Sequence, residues 1–171
     1  MSEPFNHSGD YYRITATVDP EKSPAMIDAA VTLGVPRVFI VKGRGIMHEK
    51  KIGPLTIPGI SPSFDILNLI VPAAALNPAL NALVKIGELN HFGAGAIFAT
   101  TIHDTWFNRP SLFTGDLPAG PVKSDYEFQK DLVAISCICQ LNHAEEIAHS
   151  AMKSGSPSPT ICFGYGHGIR D

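Results

Sequence analysis

Apolar and polar residues alternate in part from Tyr11 to Val18, with Tyr12, Ile14, Ala16 and Val18 on one face. That period predicts a strand. Asp19-Pro20-Glu21-Lys22 follows as a turn. Ser23-Pro24 predicts a helix start, with a side-chain oxygen at the N-cap and proline at the first helical position. Met26, Ile27, Ala30 and Val31 recur at helical spacing, and Gly34 predicts the stop. Val38 to Val41 is an unbroken apolar run, as expected of a central strand packed on both faces. It ends in Lys42-Gly43-Arg44-Gly45. From Met47 to Phe64 neither period holds, and Gly53, Pro54, Pro58, Gly59 and Pro62 intervene. The expectation there is a long loop without regular structure, poorly ordered in the free protein.

The pattern then starts again. Asp65 to Val71 predicts a strand closed by Pro72. Asn77-Pro78 repeats the cap-plus-proline start, Leu80, Leu83 and Val84 form the buried stripe, and Gly87 lies near the stop. Gly93-Ala94-Gly95-Ala96 leads into a strand that runs to Ile102. Residues 105–130 have the proline and glycine content of a linker. Beyond it, Leu132 to Cys139 predicts a strand and Asn142 to Glu145 a capping box. Ile147, Ala148, Ala151 and Met152 form a stripe, Gly155 a stop, and Thr160 to Phe163 a short strand.

The expected fold class is therefore α+β. A loose arm over 1–10 precedes a ferredoxin-like β-α-β-β-α-β domain over 11–104. An additional C-terminal β-α-β half repeat spans 131–171. Lys42-Gly43-Arg44-Gly45-Ile46 aligns with Tyr165-Gly166-His167-Gly168-Ile169, and Gly34 with Gly155. The sequence stops where a second long loop would begin: either the natural chain is longer, or the half unit pairs with another subunit. Two helices on one face of a sheet leave the other face needing cover, which predicts an oligomer.

Composition narrows the function. The chain has 171 residues, 44% hydrophobic and 17% charged, enough for a real core. A net charge of -3 gives no footprint for nucleic acid. The first residues lack the pattern of a signal peptide, and no apolar run is long enough to span a bilayer. The expectation is a cytoplasmic protein without direct membrane insertion. Cys137 and Cys139 share a strand face and are expected as buried, inert thiols; a metal site with His143 would need further ligands. His48-Glu49 fits either metal binding or proton transfer, or a solvated loop tip. His103-Asp104 has no serine or cysteine in a nucleophile turn. No catalytic or metal residues are assigned, and the protein is not expected to be an enzyme.

Three segments in order, Asp19-Pro20-Glu21-Lys22, Lys42-Gly43-Arg44-Gly45 and Gly93-Ala94-Gly95-Ala96-Ile97-Phe98, resemble those of the PII (nitrogen regulatory P-II) signalling proteins. The resemblance implies a homotrimer with sheets facing inward, and a T-loop over 46–64. That loop would contact a regulated enzyme, transporter or channel through His48, Glu49, Lys50 and Lys51. It also implies an effector in clefts between subunits, held by Lys42, Gly43, Arg44 and Gly45 and by Gly93, Ala94, Gly95 and Ala96 of a neighbour. The candidate effectors are an adenine nucleotide or another small anion. Against the family pattern, Ala94 replaces an acid, Ala96 a lysine, and Ile46 and Met47 stand where arginine and glutamine are frequent. These departures predict weak or absent ATP binding. No tyrosine lies between Met47 and Phe64, so loop uridylylation is not expected. Two other classes stay open: a metal-binding protein similar to the CutA relatives of PII, and a small oligomeric enzyme.

Overall fold

The computed structural model describes residues 11–35, 37–46, 62–103, 113, 115–156 and 159–164, and the backbone alone of 5–6, 50–52, 55–57 and 106–107. The chain divides into two compact units, Met1–Ile40 with Asp65–Lys130, and Val41–Phe64 with Asp131–Asp171.

The first unit holds β1 (Phe5–Asn6), β2 (Tyr11–Val18), α1 (Ser23–Thr32) and the start of β3 (Val38–Gly45). It continues, after β4 (Lys50–Ile52) and β5 (Leu55–Ile57) of the second unit, with most of β6 (Ser63–Pro72), α2 (Ala73–Gly87), β7 (Gly95–Ile102) and β8 (Trp106–Phe107). Its sheet runs in the order β7-β2-β6-β3. β2 is antiparallel to both neighbours, with Ile14 opposite Leu69 and Ala99. The product is a mixed α+β fold, compatible with a ferredoxin-like arrangement.

Period-two patterning buries one row of each central strand. Ile14, Ala16 and Val18 of β2 and Leu67, Leu69 and Val71 of β6 meet Met26 and Ala30 of α1 and Ala79, Leu80 and Leu83 of α2 in one core. The other face is polar at its centre, where the Thr15 hydroxyl donates to Asn68 Oδ1 at 2.9 Å. Phe98 stands beside Thr15 on that face and is exposed.

Several local expectations change. Ser23 is not the N-cap of α1: Lys22 is, and the Ser23 hydroxyl is buried without a hydrogen-bond partner. α2 starts at Ala73 rather than Asn77, because Ala73-Ala74-Ala75-Leu76 are strong helix formers. Pro78 therefore sits inside the helix, where its ring nitrogen cannot donate. α2 ends at Gly87, and Glu88 takes the left-handed conformation (φ 52°) as its C-cap. Glu88 pairs with Lys22 at 3.0 Å, and this hydrogen bond holds its carboxyl below the ordinary glutamate range. β3, expected as a doubly covered strand, is largely exposed, with Phe39 at 62%. No layer among the described residues covers Phe39, Ile40 and Val41.

Of the arm expected over 1–10, Phe5 pairs with Phe107 and Asn6 with Trp106; its other residues lie outside the described ones. The stretch expected as a linker also packs in part. Phe113 and Phe128 sit against the core of the first unit. Asn77 Nδ2 donates to Val122 O at 2.8 Å, and Asn81 Nδ2 to Lys123 O at 3.2 Å. Asn81 Oδ1 accepts from Asp125 N at 2.9 Å. The two asparagines are four apart, so they share one face of α2.

The second unit holds the end of β3, β4, β5, α3 (Ala144–Lys153) and β9 (Thr160–Cys162). The loop expected to lack regular structure contains a short antiparallel pair, with Lys50 opposite Ile57 and Ile52 opposite Leu55. The strand expected over Leu132–Cys139 is not formed. Leu132, Val133, Ile135, Cys137, Ile138 and Cys139 are all exposed. β2 is held by a neighbour on each side; among the described residues, 132–139 pairs with none. The buried thiols expected at Cys137 and Cys139 are thus exposed too. The capping box at Asn142–Glu145 is also absent: Leu141–His143 is a 3-10 turn and His143 caps α3 without a side-chain bond.

α1 and α3 are nonetheless alike. Each has ten residues. Each is followed at the second position by a glycine in the left-handed region, Gly34 at 92° and Gly155 at 90°. Gly34 N donates to Val31 O and Val35 N to Ala30 O; Gly155 N donates to Met152 O and Ser156 N to Ala151 O. These are the same bonds at matching positions of both helices.

Candidate functional site: the base of the long loop

The end of β3 is fixed from both sides. β9 pairs with it antiparallel, Gly43 opposite Cys162, Arg44 opposite Ile161 and Gly45 opposite Thr160. Across the loop mouth, Gly45 N donates to Pro62 O at 2.8 Å. A Cβ at Gly45 would stand 2.8 Å from Phe64 Cε2 and 3.1 Å from Pro62 Cγ. A side chain at position 45 would thus press on Phe64 and Pro62, and the two ends of the loop meet there. Ile46 is then buried with Ala148 of α3 and Ile161 of β9, a small second core.

Side chains alternate across β3, which places Arg44 on the same side as Ile46. Its Nη2 donates to Glu145 Oε1 at 2.6 Å. Its guanidinium lies 5.8 Å from the centroid of the Phe163 ring, within cation–π range. Arg44 and Glu145 keep 36% and 59% side-chain exposure. An ion pair this wet is worth only about 0.2–1 kcal/mol. Cys162, opposite Gly43, has its thiol pKa raised by burial. That disfavours the thiolate, the reactive form.

The other half of the expected effector set belongs to the first unit. Gly93 has φ 82° with open space around its Cα. Ala94 N donates to His91 O at 3.2 Å. Gly95 has φ 133°, and a Cβ there would fall 1.9 Å from Thr17 O. Ala96 stands opposite Thr17. This turn is thus built by backbone, with no cation of its own among residues 93–96.

Of the expected partner residues, Lys50 and Lys51 lie in β4, whereas His48 and Glu49 lie outside the described residues, as does the motif Gly166-His167-Gly168. Among the described residues, no group of three His, Cys, Asp or Glu is placed to hold a metal, and no helix is long and apolar enough to cross a membrane. Sequence reasoning missed Glu145 and Phe163 as partners of Arg44. Glu145 was accounted for by its own helix start, and nothing local in sequence connects it to an arginine 101 positions away.

No family model and no curated protein matches the sequence. Among solved structures, the chain is similar to a crystal structure of Arabidopsis thaliana PII bound to citrate. That match has 18% identity and a TM-score of 0.43, over 53% of this chain and 76% of that one.

Proposed function

We propose that this protein is a PII-like regulatory protein, in which a small anionic effector at the base of the loop over 46–64 sets the geometry that a partner protein reads. The observation that carries the reading is the loop base itself. Gly45 clamps the two loop ends together through Pro62 and Phe64, while the adjacent Arg44 presents a fixed cation. A charge at this point is coupled to the loop by one peptide bond. A ligand that prefers one geometry of the base therefore shifts the population of loop geometries.

In this reading residues 11–104 form the PII-like domain and 131–171 a partial second repeat; the matching ends of α1 and α3 support the latter. Lys42, Gly43, Arg44 and Gly45 contribute the charged part of the effector site. Gly93, Ala94, Gly95 and Ala96 of a neighbouring subunit contribute the backbone part, in a homotrimer. His48, Glu49, Lys50 and Lys51 meet the partner, a regulated enzyme, transporter or channel. Nitrogen status is the signal we favour, and the cytoplasm the location.

The test is calorimetry with pyrophosphate and with ATP, followed by capture of partners with the loop 47–64 intact or deleted. The expected result is anion binding that Arg44→Gln removes, weaker for ATP than for a typical nucleotide site, and a partner retained only by the intact loop. If no anion binds, the effector reading fails. If a partner is retained equally without the loop, the loop is not the reader.

A further inference from the structure

We infer that Glu145 is a built-in competitor at the effector site: it occupies Arg44 in the free protein, and an anion must displace it to bind. The inference rests on the effector reading above and adds its regulation. Arg44 makes its charged contact with a carboxylate that belongs to the chain itself, at 2.6 Å. The phenyl ring of Phe163 lies 5.8 Å from the guanidinium, within cation–π range. An incoming phosphate or carboxylate that takes Nη2 must take it from Glu145, and at the remaining guanidinium N–H groups it meets the repulsion of the Glu145 charge. The two occupants therefore compete for the same cation.

Displacement has a structural consequence. Glu145 is in the first turn of α3, and α3 packs through Ala148 on Ile46, the first residue of the loop. Releasing Glu145 removes one of the ties between α3 and the loop base. Effector binding and α3 docking thus oppose each other, and by linkage each weakens the other equally. The tie is exposed enough to be exchangeable, which a switch requires and a structural buried pair would not allow.

Glu146 supplies the control. It is the next residue, carries the same charge, and lies 3.8 Å from His143 Nδ1 rather than on Arg44. Calorimetry with pyrophosphate on the full chain and on Glu145→Gln, Glu146→Gln and Arg44→Gln variants tests the proposal. Glu145→Gln is expected to bind about two- to sixfold tighter, the gain set by the weak pair it removes. Glu146→Gln is expected to match the parent, and Arg44→Gln to lose binding. Amide exchange in α3 of the parent protein should rise when pyrophosphate is added. Equal tightening by Glu145→Gln and Glu146→Gln would mean general charge repulsion and would overturn the competitor. So would an unchanged affinity in Glu145→Gln while Arg44→Gln still abolishes binding; the effector site would then survive without its lock. Absence of binding in every protein would remove the effector reading and the competitor together.

Discussion

Gly95 and Gly93 stand two residues apart in one turn and are constrained for different reasons. At Gly95 a methyl group would overlap the Thr17 carbonyl oxygen, and the φ of 133° is barred to other residues. At Gly93 there is open space, and only the left-handed φ of 82° resists substitution. Gly95→Ala should therefore cost more than about 3 kcal/mol, and Gly93→Ala about 1–2 kcal/mol. Urea unfolding of both variants measures this; similar midpoints would mean that β7 does not approach Thr17 so closely. The glycines were visible in the sequence, but not which of them is sterically obligatory, because the obstacle is backbone from another strand. The same limit explains Glu145. A helix-terminal glutamate has a sufficient local role, so its long-range role leaves no local trace.

Elements were legible where their own residues determine them. The alternation of β2, the stripe of α2 and the glycine after α1 all predicted structure that forms. The misses have separate physical causes. α2 begins five residues before Pro78 because alanine propensity outweighs one missing hydrogen bond. Leu132–Cys139 has the composition of a strand, yet a strand needs a neighbour, and composition cannot supply one. The stretch 105–130 has the content of a linker, and its apolar anchors, Phe113 and Phe128, are too far apart to show a period. Its attachment runs through Asn81, which bonds both Lys123 and Asp125. Asn81→Ala should lose about 1–2 kcal/mol and raise amide exchange across 122–126 by a larger factor than elsewhere in the first unit. Exchange that rises uniformly over the molecule would show that the strap is held by other contacts.

For the whole molecule, the mixed α+β class followed from the sequence pattern, whereas the grouping of Val41–Phe64 with Asp131–Asp171 did not. The division falls within β3, between Ile40 and Val41, in the middle of its apolar run. Phe39, Ile40, Val41 and Phe98 expose their side chains to solvent. Side chains alternate along β3, so Phe39 and Ile40 face opposite ways; within the first unit Phe39 and Phe98 are large exposed side chains of the sheet available to an interaction surface. A homotrimer is expected by sedimentation velocity, and Phe39→Glu should shift it towards monomer. A parent protein that stays monomeric at every concentration would sink the trimer.

The pairing of β3 with β9 also bears on how the protein comes into being. A ribosome releases Gly43, Arg44 and Gly45 long before it has made Thr160, Ile161 and Cys162. During that interval the edge of β3 has no β9 beside it, and Arg44 has neither Glu145 nor Phe163. Bringing such distant stretches together carries a loop-closure cost that adjacent elements avoid, so the β9 side of the loop base is among the last parts to assemble, whereas the Gly45–Pro62 bond needs only nearby residues. The nascent chain thus passes through a stage in which Arg44 has neither Glu145 nor Phe163 beside it and the loop base is held by Gly45 and Pro62 without β9. The restraint that Glu145, Ile161 and Phe163 add comes only when synthesis has gone past Phe163.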